Sequence, residues 1–194
     1  MSSLRSEPFL WIHLAGIAAF PICLAGVLLG LAIGNPTSFL TLELLTVGII
    51  GIVPIFWMQI VRPFDIFSVL IFSLKPEKLT EDQRKILTLF KTQKHQWFSA
   101  IAALLMALTL WLLARLAPVG MNLVAEFPQW RILGLAIASS FFLAANLFLQ
   151  IPLSVFLVLL SNKYNKTEPY ETAKINRNFT LVGFRVDKIL SFLR

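Results

Sequence analysis

Apolar residues run almost unbroken from about Phe9 to Ile33, Phe39 to Ile60, Trp97 to Leu116 and Arg131 to Leu160. Hydrocarbon offers no partner for a bare peptide group, so a chain crosses a bilayer as helix, in ~20 residues. Each run meets that length, and the pattern predicts four transmembrane helices. Polar residues and prolines mark the ends: Gly34, Asn35 and Pro36 after the first, Arg62 and Pro63 after the second, Ala117 and Pro118 after the third. The fourth run is longer than a bilayer needs. Gln150 and Pro152 predict a kink there, with Leu153 to Leu160 lying shallow in the bilayer or beyond it. A cleaved signal peptide is the rival reading of the first run. Its apolar stretch far exceeds the ~7–15 residues of a signal core, so the segment is read as a retained span.

The intervening pieces also carry patterns. In the link 61–96, the mainly apolar segment Phe64–Leu74 is too short to span, which predicts an interfacial or re-entrant helix pinned by Arg62 and Lys75. Thr80, Glu81, Asp82 and Gln83 spell a capping box with acids in the first turn, and Ile86, Leu87 and Phe90 make an apolar stripe. An amphipathic helix over about 80–95 should therefore lead into the third span. In the tail 161–194, Phe179, Val182, Val186, Ile189 and Leu193 recur at helical spacing with Arg185, Lys188 and Arg194 between them. That predicts an amphipathic helix over about 179–194, on the bilayer surface or beneath the bundle. The fold class is all-α: a single polytopic membrane domain with amphipathic interfacial or cytoplasmic helices.

Composition agrees. Of 194 residues, 57% are hydrophobic and only 14% charged, too few polar groups to cover a soluble domain of this size. Charge placement then orients the chain. One Lys or Arg precedes the first span, seven lie in the link and seven in the tail, leaving only Arg115 and Arg131 of the seventeen beside the turn between spans three and four. The positive-inside rule makes the crowded side cytoplasmic, with both termini there. The sequons at Asn165 and Asn178 are then unavailable for glycosylation. A net charge of +7 would suggest nucleic acid in a soluble chain. Beside span ends, topology and anionic lipid headgroups account for it, and Arg84, Lys85, Lys91 and Lys94 are expected to face lipid or a partner. The single cysteine, Cys23, reads as a small packing residue.

Chemistry within the spans is sparse. His13 lies about four residues inside the cytoplasmic boundary, roughly 6 Å deep. A lone imidazole there can ligate a chlorophyll magnesium or a haem iron, though interfacial hydrogen bonding is its commoner use. Glu43 enters the second span from the outer side, level with Arg115, Glu126 and Arg131, and an ion-pair cluster tying the outer turn to span two is expected. Asn146 and Gln150 are four apart on span four, hence on one face and level with His13. Hydrogen bonding among the three would join spans one and four. Gly26 and Gly30 form a G-x-x-x-G in span one, and Gly48 and Gly51 lie in span two, so close helix packing is expected there, within the chain or against a partner. No hydrolase, phosphate-loop, zinc-protease or C-x-x-C signature is present. The residues read as a non-enzymatic protein without a metal or firmly indicated cofactor.

Several blocks together carry a resemblance: Arg5 to Gly16, Arg62 to Ser68, Leu74 to Arg84, Pro128 to Arg131, and Asn146 to Pro152. They resemble a cyanobacterial family of small membrane proteins called low-complexity tail membrane proteins. The tail of that name is short or lacking here, and the family brings no assigned activity or site residues. The resemblance implies a cyanobacterial membrane, thylakoid or plasma, with photosynthetic complexes as neighbours. An auxiliary or assembly factor for such a complex, a photosystem for instance, is the favoured expectation. A small oligomeric transporter or channel using His13, Asn146 and Gln150, or a pigment- or haem-binding protein using His13, are the alternatives.

Overall fold

A computed structural model of the chain describes residues 2–34, 39–69, 71–121, 129–161, 164, 167–180 and 183–189. The helices are α1 (Ser2–Arg5), α2 (Pro8–Ala15), α3 (Ala19–Ala32), α4 (Leu40–Val61), α5 (Glu81–Phe90), α6 (Gln93–Gly120), α7 (Arg131–Leu159) and α8 (Thr172–Asn178). A short 3-10 turn, Gly16–Ala18, joins α2 to α3. Among the described residues, four helical segments are long and apolar enough to cross a membrane: Pro8–Ala32, Leu40–Val61, His95–Gly120 and Arg131–Leu159. The last has 44% of its most apolar stretch buried against 22% in each of the others, so it is the most enclosed of the four.

The chain forms two compact units. One comprises Gly16–Phe56 and Ala100–Gln150, the other Met1–Ala15, Trp57–Ser99 and Ile151–Arg194. In the first, Cys23, Val27 and Leu31 of α3, Val47 of α4, Met106 and Leu110 of α6, and Ala138, Phe142 and Ala145 of α7 form the core. Glycines bring the backbones together. A Cβ on Gly30 would stand 2.6 Å from the Ala138 amide nitrogen, and one on Gly134 would stand 2.6 Å from the Gly30 carbonyl oxygen. The G-x-x-x-G face of span one is thus spent on α7, inside the chain, since neither helix can approach so closely with a side chain between them.

The second unit has its own core, in which Phe9 and Leu10 of α2, Ile66, Phe67, Ile86, Leu87 and Phe90, Val155 and Val158 of α7, Ile175 and Phe179 are buried. The capping box on α5 forms: the Gln83 amide donates to the Thr80 hydroxyl at 3.2 Å and the Thr80 amide to the Gln83 side chain at 3.0 Å. The apolar stripe of α5 faces protein. This helix ends at Phe90, and α6 begins at Gln93, so His95 belongs to the third span's helix instead of the amphipathic one.

Two expected helices are replaced by strands. The segment 64–74 holds β1 (Ser68–Val69) and β2 (Phe72–Leu74), paired antiparallel, and β2 pairs in parallel with β3 (Phe184–Val186). Among the described residues these make a three-stranded sheet in the order β1-β2-β3. An eleven-residue apolar run fits a buried strand as well as a helix, and periodicity alone does not separate them. In the tail, Phe179 is already extended (φ −125°) and Thr180 pairs with Phe64. Gly183 sits at φ +97°, a left-handed conformation that ends any helix through this stretch. Within the described residues the expected helix over 179–194 is therefore absent; 181–182 and 190–194 lie outside them. Leu153–Leu160, expected to lie shallow or outside the bilayer, continues α7 through Pro152 to Leu159, where Val155 and Val158 fill the core.

Candidate functional site

Two clusters of buried polar side chains lie in the first unit. At one end, Arg131 opens α7 and its Nε donates to both Glu43 carboxylate oxygens at 3.1 Å, with Nη2 adding a further bond to the same group. Nη1 donates to the Leu31 carbonyl at 2.7 Å and the Ile33 carbonyl at 3.1 Å. These oxygens end α3, where a helix leaves carbonyls unpaired and a cation suits its dipole. Gly34 turns the chain there at φ +73°, and a Cβ at that position would stand 2.6 Å from the Arg131 amide nitrogen. The expected ion-pair cluster thus includes Glu43 and Arg131. Arg115 goes elsewhere: its guanidinium lies 4.8 Å from the centre of the Trp111 ring. Glu126 lies outside the described residues.

Deeper in the unit, the Asn146 amide donates to the Gly51 carbonyl at 2.9 Å, and Gln150 donates to the Asn146 side-chain oxygen at 3.0 Å. Spacing put these two on one face of α7, and they share it. Asn146 joins spans two and four, where spans one and four were expected. His13, in the other unit, donates from Nδ1 to the Phe9 carbonyl at 2.8 Å, one turn back on α2, and its ring lies 5.7 Å from that of Phe64. The tautomer this requires leaves the lone pair on Nε2.

In the second unit, a carboxylate that sequence reading passed over is fully buried. Asp65 accepts from the Phe67 amide at 3.1 Å and from the Ser73 hydroxyl at 3.2 Å, with Arg185 at 3.9 Å. Burial raises its pKa, while the Phe67 amide, Arg185 and Ser73 oppose that rise. Its amide donates to the Thr180 carbonyl at 3.0 Å, and the Thr180 amide returns a bond to Pro63 at 2.9 Å. Arg62 donates to the carbonyls of Asn176 and Phe179 at the end of α8. The motif from Arg62 to Ser68 is therefore a clasp binding the link to the tail. An acid inside an otherwise apolar run, followed by Ser68 and Ser73, was the available signal.

The four cations expected to face lipid or partner divide. Arg84 turns inward, donating to the Thr172 hydroxyl at 3.1 Å while its carbonyl accepts from the Tyr170 amide. Lys85 pairs with Glu81 at 3.2 Å, and Lys91 is exposed; the Lys94 side chain lies outside the described residues. Among the described residues, no three His, Cys, Asp or Glu side chains gather as a metal site would require. The exposed apolar residues outside the spans include Ile71, Phe72 and Phe184, which is 70% exposed. Phe72 and Phe184 are partners across the β2–β3 ladder, and the Phe184 amide donates to the Ile71 carbonyl at 2.7 Å, so the three form one patch.

No curated protein and no solved structure matches the chain. A family model, low-complexity tail membrane protein-like, matches residues 6–191. With four membrane-crossing helices and a match over nearly its whole length, the chain is an integral membrane protein of the low-complexity tail membrane protein-like family.

Proposed function

We propose that this protein is a non-catalytic auxiliary or assembly factor that docks on another membrane protein complex. The observation that carries this reading is the Ile71–Phe72–Phe184 patch, exposed outside the spans on a unit that has its own buried core. An aromatic patch outside the spans is the kind of surface that partners cover. The unit bearing it holds fifteen Lys and Arg against eight Asp and Glu, so the complementary surface is apolar with an acidic rim. Positive charge on this scale supports a cytoplasmic placement of the unit, with both termini. Trp11, Trp57 and Trp97 near its span ends support an interfacial depth. The resemblance to a cyanobacterial family extends the proposal to a thylakoid complex, a photosystem among the candidates.

Affinity purification from solubilised membranes tests it. The wild-type chain should enrich subunits of a defined complex, and Phe72→Ser with Phe184→Ser should lose them while the protein still inserts. Recovery of the chain alone would sink the proposal. Binding of anionic vesicles that the same substitutions abolish would instead assign the patch to the lipid surface.

A second reading, pigment or haem binding at His13, draws support from the lone pair left on Nε2. A visible absorption band that disappears in His13→Leu would favour it, and a colourless purified protein would remove it.

A further inference from the structure

The face where α4 and α6 meet in the first unit carries a groove of about 710 Å³. Its walls are apolar: Leu44, Gly48, Ile52 and Val53 on α4, Ala107 and Leu110 on α6, with Trp111 and Arg115 towards one end. The helices run antiparallel, so Leu40 and Thr41 lie at the same end as Arg115. From Leu40 to Val53 is about 20 Å of helix, more than the ~15 Å depth of one leaflet of hydrocarbon.

The groove's length and apolar walls suit an extended hydrocarbon chain laid along the two helices. The charge at its end selects the headgroup. Glu43 takes Arg131, and among the described residues no carboxylate pairs with Arg115, which is exposed against the Trp111 ring. An arginine near a span end, outside the ion pairs of the described residues, is available to a phosphate, which it binds with directed hydrogen bonds.

We infer that this groove is a binding site for one anionic phospholipid, its acyl chain lying between α4 and α6 and its phosphate on Arg115. The site is on the first unit and stands whether or not the Ile71–Phe72–Phe184 patch docks a partner. Gly48 keeps the floor open. A Cβ there would meet only Leu110, at 3.5 Å, an ordinary contact, so alanine fits and a longer side chain projects into the groove.

Native mass spectrometry of the full chain in detergent tests this, using equimolar palmitoyl-oleoyl phosphatidylglycerol and phosphatidylcholine. Both lipids carry a phosphate, but in phosphatidylcholine a quaternary ammonium lies beside it and repels Arg115, so wild-type protein should retain phosphatidylglycerol by ~10-fold. Arg115→Gln should level the two lipids and Arg115→Lys restore part of the preference. Gly48→Leu, and Ala107→Leu from the opposite wall, should strip both lipids, while Gly48→Ala retains them. Equal retention by the wild type, or a preference that survives Arg115→Gln, would overturn the headgroup assignment and the proposal with it. Lipid binding unchanged in both blocked variants would overturn the groove. So would a dimer without lipid that Gly48→Leu dissociates, since a second copy would then be the occupant.

Discussion

Arg131 and Glu43, 88 residues apart, form a buried ion pair in which one guanidinium also closes the C-terminal end of a third helix. Three span ends meet in that side chain. The pair is a fastening whose halves depend on each other, because either charge left alone would stay buried without its partner.

Removing one partner should therefore cost more than removing both. Glu43→Ala and Arg131→Ala should each destabilise the protein by roughly 3–5 kcal/mol. Arg131→Ala should cost more, since it also strands the Leu31 and Ile33 carbonyls. A double-mutant cycle of thermal unfolding in detergent measures the coupling, and additive losses would show that the charges act independently.

Gly30 and Gly134 tolerate no side chain. Gly30→Val should destabilise the first unit by roughly 1–3 kcal/mol, because Ala138 belongs to a helix backbone that cannot yield locally. Gly48→Ala, on the same scale, should be nearly neutral. Unfolding midpoints of the two variants side by side provide the check.

Asn146→Leu should weaken the hold of α7 on α4 by roughly 0.6–2 kcal/mol, the range for interhelical hydrogen bonds in bilayers. Steric trapping or thermal unfolding would read the loss.

Stability should depend on pH through Asp65. Burial holds its carboxyl pKa above the ordinary aspartate range, so the folded chain keeps a proton that the unfolded chain has lost. Stability is then greater on the acidic side and falls as pH rises through the raised value. Glu7, also raised by burial, adds a contribution of the same sign. Asp65→Asn should flatten the profile while keeping an acceptor for the Phe67 amide, and Asp65→Ala should destabilise at every pH by roughly 1–3 kcal/mol for each stranded donor. Melting temperatures between pH 4 and 8 test this, and an unchanged slope in Asp65→Asn would assign the dependence to other groups.

What could be read from the residues alone was whatever depends on length and sign. Four apolar runs fix four crossing helices, because the hydrocarbon's thickness and its lack of hydrogen-bond partners apply to any chain. The Thr80–Gln83 cap was legible because its partners are three residues apart, and the shared face of Asn146 and Gln150 because four residues make about one turn. What remained hidden depends on residues far apart in sequence. The segment 64–74 becomes a hairpin because β3, more than a hundred residues later, supplies a strand beside β2. Asp65 is tolerable inside because Ser73 and Arg185 are brought to it, and Arg115 is left to the groove because Arg131 has taken Glu43. A local pattern sets what a segment can become; which alternative it takes is settled by the partners that satisfy its buried polar groups, and only the tertiary structure assembles those.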